Sequence, residues 1–201
     1  MLNLILWYLL ILFLGLLAFP VTYKLLPGLT DRGYTLARTL GLLIWSYLFW
    51  ILGSFGLLQN DIGGELVALL LLAGAGIWAY RSLDGAELRS WFRQQRRMIL
   101  VVEVLFLIAF MGWAVVRSAN PEITGTEKPM ELAFINAILR SPTLPPNDPW
   151  LSGYSISYYY YGYVMVAMLA RLTATSGGVA FNLGLSLVFG LSAIGSYGLL
   201  Y

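Results

Sequence analysis

The chain of 201 residues is 59% apolar and only 11% charged, with a mean hydropathy of +0.77. A soluble domain is about 45–50% apolar and about 25% charged, so this chain lacks the polar residues to cover a soluble fold. The net charge of +2 does not suggest a nucleic-acid partner. Because cysteine and histidine are both absent, disulfides, thiolate nucleophiles, Ser–His–Asp triads and His/Cys zinc sites are excluded.

Six apolar segments approach the roughly 20 residues that a bilayer-crossing helix needs. They predict an all-α fold, a polytopic transmembrane helical bundle of about six spans. The first segment is retained rather than cleaved, because no basic residue precedes it and no A-x-A site follows it. The last runs to the final residue without a polar tail, so we expect a fragment of a longer protein. The segments are residues 2–19, 39–58, 66–80, 98–116, 156–172 and 179–201.

Basic residues predict the orientation of these spans, because Lys and Arg are enriched in short cytoplasmic loops. The first and third loops are basic, with five arginines in the third, whereas the second loop has no Lys or Arg. The pattern favours an N-terminus outside the plasma membrane of a bacterium or archaeon. It places the long loop 117–155 outside and the fifth loop, which holds Arg171, inside.

The third loop contains residues 86–97, whose structure the sequence leaves open. Leu88, Trp91 and Phe92 fit one face of a short interfacial helix flanked by arginines. A plain cytoplasmic loop that carries topology charges explains the same arginines, and it is the interpretation we prefer from the sequence.

The outer loop carries the pattern with most chemical content, since long loops of this kind are usually functional. Thr126 is a suitable helix cap, Pro129 is tolerated in a first turn, and apolar residues recur at helical spacing over 130–139. We therefore predict a short amphipathic juxtamembrane helix on the outer membrane face. A proline-rich stretch, 145–150, and a run of tyrosines follow it.

Several motifs of this loop are specific enough to compare with known families. They are Thr126-Glu127-Lys128-Pro129-Met130, Ala133-Phe134-Ile135-Asn136-Ala137, Pro145-Pro146-Asn147-Asp148-Pro149-Trp150, Gly153 and Tyr158-Tyr159-Tyr160-Tyr161-Gly162-Tyr163. These motifs resemble the YYY family of bacterial and archaeal membrane proteins (Chlor_Arch_YYY). The order of the elements also resembles, more distantly, that of the GT-C glycosyltransferases. That resemblance implies transfer of a sugar from a polyprenyl-phosphate donor at the outer membrane face, and it divides the chain into a three-span segment, 1–97, and a GT-C-like segment, 98–201, with outer loop 117–155.

Two carboxylates are the candidate catalytic residues. Glu127 begins the predicted helix, where the helix dipole stabilises its charge, and it is equally well explained as a helix-end charge. Asp148 lies between prolines and is equally well explained as a turn former. With the GT-C layout, the two are expected to approach one pocket as base and orienting residue. A divalent cation, Mg²⁺ or Mn²⁺, is the candidate cofactor.

Candidate substrate-binding residues surround these acids in the sequence. Lys128 and Arg140 would bind the donor phosphate, with a membrane-headgroup contact as the alternative. Glu131 is four residues from Glu127 and would share its helix face, or it is simply solvated. Tyr158 and Tyr161 are expected on one face of the fifth span, where they would bind a sugar or belong to an aromatic belt.

Two other functional classes remain open. A transporter or channel subunit would need charged residues within the membrane, and Glu103 alone fits, about 7 Å into its span at about 1.5 Å per residue. Arg96 and Arg97 are its expected neighbours. A non-catalytic scaffold of the cell envelope would instead use the outer loop as a docking surface.

Overall fold

The computed structural model describes residues 1–151 and 153–201. In these residues the chain forms eight helices, which confirms the all-α polytopic bundle. Five of the helices (α1, α2, α3, α5 and α8) are long and apolar enough to cross a membrane. The helices are α1 Leu2–Leu25, α2 Ala37–Ser54, α3 Ile62–Arg81, α4 Gly85–Gln94, α5 Arg96–Ala119, α6 Lys128–Arg140, α7 Tyr161–Leu172 and α8 Gly177–Leu200.

The span expected at 156–172 is helical only over Tyr161–Leu172, and this helix does not cross the bundle. Its 12 residues extend about 18 Å, against a hydrocarbon layer of about 30 Å. Helices α5 and α8 pack antiparallel: Arg117 near the end of α5 hydrogen-bonds Asn182 near the start of α8. The intervening chain therefore leaves and returns on the same side, and five helices in the described part of the chain are candidates for spanning the membrane.

The remaining connections define two sides of the bundle. Trp7 donates to Thr173 over 3.0 Å, and Asn60 donates to the Ser141 carbonyl over 2.6 Å. The N-terminus, the α2–α3 connection, α6 and both ends of α7 therefore share one side, called here the α6 side. The α1–α2 connection and α4 lie on the other, the α4 side. The prediction that Arg171 shares a side with the basic third loop is wrong, because the preceding span does not cross.

The segment that we preferred as a plain loop is the helix α4. Asp84 caps it by accepting from the N–H of Ala86 over 2.8 Å. Leu88 and Trp91 are buried, and the Trp91 ring lies 5.4 Å from the ring of Phe19. The alternative of a short amphipathic helix is therefore the correct one, because Leu88 and Trp91 pack against the bundle.

Close helix packing in the N-terminal half depends on glycines. A Cβ atom on Gly41 would lie 2.4 Å from the Leu14 carbonyl oxygen, and one on Gly76 would lie 2.2 Å from that of Leu17. Helices α2 and α3 thus approach the backbone of α1 more closely than any larger residue would permit. The largest fully buried side chains in this bundle include Trp7, Trp45, Phe49, Phe106 and Phe110.

The amphipathic helix predicted in the long loop is observed as α6, over Lys128–Arg140. Its apolar residues, such as Phe134 and Ile138, are buried in the protein, since α6 packs on α7 and α8. The predicted cap at Thr126 is wrong: Glu127 is the N-cap residue, and Thr126 has a left-handed backbone with φ of 49°. Ser141 ends the helix in an extended conformation.

Candidate functional site

A small cleft lies where α6 ends and the proline-rich stretch begins. Its volume is about 200 Å³, and Ser141 supports its floor by accepting from the N–H of Asn147 over 2.8 Å. This cleft, called here the Asp148 cleft, combines one carboxylate, one guanidinium and one amide on the α6 side. Its lining residues are Ala137, Arg140, Ser141, Asn147, Asp148 and Pro149.

A tight turn fixes the carboxylate of Asp148. Oδ1 accepts from the N–H groups of Trp150 and Leu151, over 2.8 and 2.9 Å, and the Asp148 N–H donates to the Tyr154 carbonyl. The turn-forming role expected from the sequence is therefore present. These two bonds use Oδ1 only. Asp148 is thus a pre-oriented carboxylate in a cleft that also holds Arg140.

The structure separates the two carboxylates that were expected in one pocket. Glu127 begins α6, whereas the Asp148 cleft lies at its end, and the 13 residues of the helix extend about 20 Å. Glu127 is exposed and Lys128 is half-buried, both in the first turn. Of the predicted residues, Asp148 and Arg140 come together, and Glu127 does not join them.

A second polar group forms beside the N-terminal half of α6. The hydroxyl of Tyr163 donates to Glu131 over 3.3 Å, and the Tyr158 ring packs 6.0 Å from that of Phe134. Burial and the charge of Glu131 raise the pKa of Tyr163 to about 12. A hydrogen bond to Tyr159 raises the pKa of Tyr158 to about 12. Both phenols therefore stay protonated donors at neutral pH.

Tyr158 and Tyr161 do not share a face, contrary to expectation. The helix begins only at Tyr161, so Tyr158 belongs to the preceding irregular chain. Tyr161 points toward α2, where its hydroxyl lies 2.9 Å from Oγ of Ser46 and 3.1 Å from the Leu43 carbonyl oxygen. Tyr161 is thus a packing contact between α7 and α2.

A wider groove on the same side lies between the end of α5 and the start of α8. Its volume is about 530 Å³, with apolar walls that include Ala114, Val179 and Leu183. Arg117 lies at its polar end and donates to Asn182 over 2.8 Å. An apolar groove with a guanidinium at one end suits an amphiphile with an anionic head. This α5–α8 groove was not anticipated from the sequence.

Sequence reasoning also missed two ion pairs inside the bundle. Glu65 is fully buried and bonds to Arg171, which also donates to Asn60 over 3.1 Å. The signal was present, because Asp61 caps α3 and so places Glu65 one turn inside an apolar helix.

The second pair joins Glu103 on α5 to Arg38 on α2. Tyr34 also donates to this carboxylate, over 2.6 Å. The expected neighbours of Glu103, Arg96 and Arg97, are instead exposed at the start of α5.

The oxygen ligands that the site offers do not favour the divalent cation expected from the sequence. Across residues 1–151 and 153–201, no group of three or more acidic side chains is arranged to hold a metal ion. Mg²⁺ and Mn²⁺ prefer several oxygen ligands. The Asp148 cleft supplies one carboxylate, so its chemistry is derived below from side chains alone.

These features define the class of protein: a polytopic α-helical membrane protein with a structured loop on one side. Residues 44–201 match the family described as uncharacterized membrane protein (DUF2298), and the chain belongs to that family. The family description includes neither the YYY name nor a glycosyltransferase activity. No curated protein and no solved structure shows significant similarity to the chain.

Proposed function

We propose that this membrane protein transfers a sugar from a polyprenyl-phosphate donor on the α6 side. The observation that carries the proposal is the Asp148 cleft, where a fixed carboxylate and Arg140 line one small polar space. Glycosyl transfer from a lipid phosphate needs a base for the acceptor and a cation for the departing phosphate. The cleft offers one of each at the boundary of the bundle.

The α5–α8 groove supports the proposal because it adjoins α6. A Cβ atom on Gly177, at the start of α8, would lie 2.2 Å from Oδ1 of Asn136. Asn136 is four residues before Arg140, about one helical turn or 6 Å along α6. A prenyl chain in the groove would therefore lie beside α6, with its phosphate directed along that helix toward Arg140 in the Asp148 cleft.

In the proposed reaction, an acceptor hydroxyl attacks the anomeric carbon of the sugar. Its proton passes to the carboxylate of Asp148, and the bond between the anomeric carbon and the phosphate oxygen breaks. Arg140 stabilises the negative charge that develops on that oxygen, and polyprenyl phosphate departs. Lys128, Glu131 and Tyr158 lie toward the other end of α6 and would contact the acceptor rather than the reacting atoms.

The orientation that we propose puts this reaction outside the cytoplasm. Most of the twelve basic residues belong to the α4 side, and Lys and Arg are enriched on the cytoplasmic side of membrane proteins. The α4 side would then be cytoplasmic, with the N-terminus and the Asp148 cleft outside. The α4-side residues are Lys24, Arg32, Arg38, Arg81, Arg89, Arg93, Arg96 and Arg97.

The substitution Asp148→Asn tests the proposal cleanly. Asparagine keeps the Oδ1 acceptor that holds the turn, so the loop is retained, but it cannot take a proton. With polyprenyl-phosphate-linked hexoses as donors in nanodiscs, we expect release of polyprenyl phosphate to fall by about 10²-fold, the usual scale of lost acid–base help.

Glu127→Gln, at the other end of α6, is the matched control and should change release far less. Equal release by the wild type and Asp148→Asn, with donor turnover measured in both, would remove Asp148 as the base. A loss in Glu127→Gln alone would move the site to the start of α6.

A transporter or channel subunit is the second candidate, and the two internal ion pairs favour it. Ionisable residues within a membrane usually mark an ion or substrate path. Glu65→Gln in sealed proteoliposomes would then reduce proton or ion flux, measured with a pH-sensitive dye. Flux equal to that of protein-free liposomes would remove this candidate.

A further inference from the structure

A further cavity lies on the α4 side, away from the site proposed above. Its volume is about 240 Å³, and it is bounded by α1, the start of α2, α4 and α5. The walls are largely apolar, with Leu12, Leu16 and Phe19 from α1 and Phe92 from α4. The polar lining comes from Arg38, Glu103 and Tyr34.

Arg38 gives this α4-side cavity its chemical character. Its side chain is 5% exposed, and one terminal nitrogen bonds to Glu103. The other two nitrogens, Nε and Nη1, are buried without a hydrogen-bond partner in the described residues. Burying a charged group with unused donors is costly, so a group that accepts those hydrogen bonds would be stabilised here.

The neighbours of Arg38 accept no hydrogen bonds from these two nitrogens. Phe106 packs 4.8 Å from the guanidinium carbon and offers only a ring face. Glu103 already bonds to Arg38 and accepts from Tyr34 over 2.6 Å. Gly15 provides the space, because a Cβ atom there would lie 2.8 Å from Cγ of Arg38.

The position of the cavity indicates the source of the acceptor. Arg38 is the second residue of α2, which places it near the end of a spanning helix. Leu16, on the cavity wall, is 71% exposed on the lipid-facing surface of α1. Exposed arginines on α4 and at the start of α5 attract anionic lipid to a membrane surface. These arginines are Arg89, Arg93, Arg96 and Arg97.

We propose that the α4-side cavity binds an anionic membrane lipid. Its phosphate accepts from Nε and Nη1 of Arg38, and the first part of its tail packs against Leu12, Leu16 and Phe19. This site lies on the opposite side from the Asp148 cleft and does not rest on the glycosyltransferase proposal. The geometry requires both a phosphate and a tail, so free phosphate should bind poorly.

The test uses the whole chain in detergent with dioleoyl phosphatidic acid as the probe, and native mass spectrometry to count bound lipid. Arg38→Gln/Glu103→Gln removes the guanidinium without leaving an unpaired charge. Leu16→Trp fills the cavity wall from an exposed position without changing a polar group. Leu9→Trp, two turns earlier on the same exposed face, is the matched control.

We expect the wild type and Leu9→Trp to retain phosphatidic acid, and both cavity variants to bind it at least about 10-fold more weakly, the equivalent of about 1.4 kcal/mol. Dioleoyl phosphatidylcholine and inorganic phosphate should not displace it. Unchanged retention in both cavity variants would overturn the proposal. So would displacement by inorganic phosphate, or a loss seen only in Arg89→Gln/Arg93→Gln, since those results would indicate surface attraction alone.

Discussion

The two ion pairs inside the bundle differ in how completely the donors of the arginine are satisfied, although Oε2 of Glu65 in the first pair is also buried without a hydrogen-bond partner in the described residues. On the α6 side, Arg171 bonds to Glu65, to Asn60 and to the Ile138 carbonyl. On the α4 side, Arg38 bonds to Glu103 but leaves two buried nitrogens without partners. The first pair joins α7 to α3 and α6, whereas the second lines the α4-side cavity.

This difference separates a structural pair from a candidate binding site. Isolated charges are too costly to bury, so each arginine has to be compensated by something. Within the α6-side pair, the protein itself supplies the additional acceptors. At Arg38 the protein supplies one acceptor and a cavity, which leaves the rest of the compensation to a ligand or to water.

The comparison requires that the two pairs lie on opposite sides, and cysteine labelling gives an all-or-none test. The chain has no cysteine, so single substitutions report alone. Ala174, just after α7, and Thr143 are both exposed on the α6 side, and Ser90 is exposed on α4. We expect Ala174→Cys and Thr143→Cys to react with an impermeant maleimide from one side and Ser90→Cys from the other.

If the N-terminus is outside, as proposed, the first two variants react in intact cells and the third only after lysis. Labelling of Ala174→Cys together with Ser90→Cys would mean that α7 crosses the membrane, and the comparison would fail.

The next largest effect concerns the stability that the Arg171–Glu65 pair contributes. Arg171→Leu leaves Glu65 buried without its cation, and we expect a loss of about 3–5 kcal/mol in the free energy of unfolding. Titration with a denaturing detergent, followed by helical circular dichroism, would measure it. Arg32→Leu is the control, because Arg32 and Glu87 form an exposed pair with side-chain exposures of 30% and 56%.

An exposed pair contributes about 0–1 kcal/mol, so the control should remain near the wild type. Glu65→Leu/Arg171→Leu removes both charges and should recover much of the loss. A single variant as stable as the wild type would show that Glu65 is compensated by something other than Arg171.

The fold was largely predictable because its signals are local. Apolar runs of span length predicted the five crossing helices, and apolar spacing predicted α6. The prediction of a helix before Tyr161 was wrong because the tyrosines there are apolar enough to extend the hydropathy pattern of the helix that follows. The chain at these residues is irregular. Once α7 was counted as a span, the side assigned to Arg171 was wrong as well.

The candidate site was less predictable because it depends on contacts between distant residues. Asp148 and Arg140 are eight residues apart and were both identified. Arg38 and Glu103 are 65 residues apart, and nothing in either local sequence specifies the other. Burial of Glu65 likewise depends on α7 folding back to present Arg171. Sequence patterns identified the elements, whereas tertiary packing determined which charges meet.

The smallest effect comes from the hydrogen bond between Tyr163 and Glu131, which is only half-buried and so contrasts with the two buried ion pairs. Tyr163→Phe removes the hydrogen bond to Glu131, which at 3.3 Å and half-buried should contribute about 0.5 kcal/mol. The pH dependence of the free energy of unfolding is more informative than this single value. The ordinary pKa of tyrosine is 10.0, and burial with the nearby Glu131 charge raises that of Tyr163 to about 12. Between these values the unfolded chain loses the proton and the folded chain keeps it, so stability falls as pH rises.

The melting temperature of the wild type should therefore fall more between about pH 9 and about pH 11 than that of Tyr163→Phe. Tyr154→Phe, at a side chain that is 65% exposed, is the control and should follow the wild type. An identical fall in all three proteins would mean that Tyr163 titrates like an exposed phenol. The contact between α6 and α7 would then be loose at Glu131.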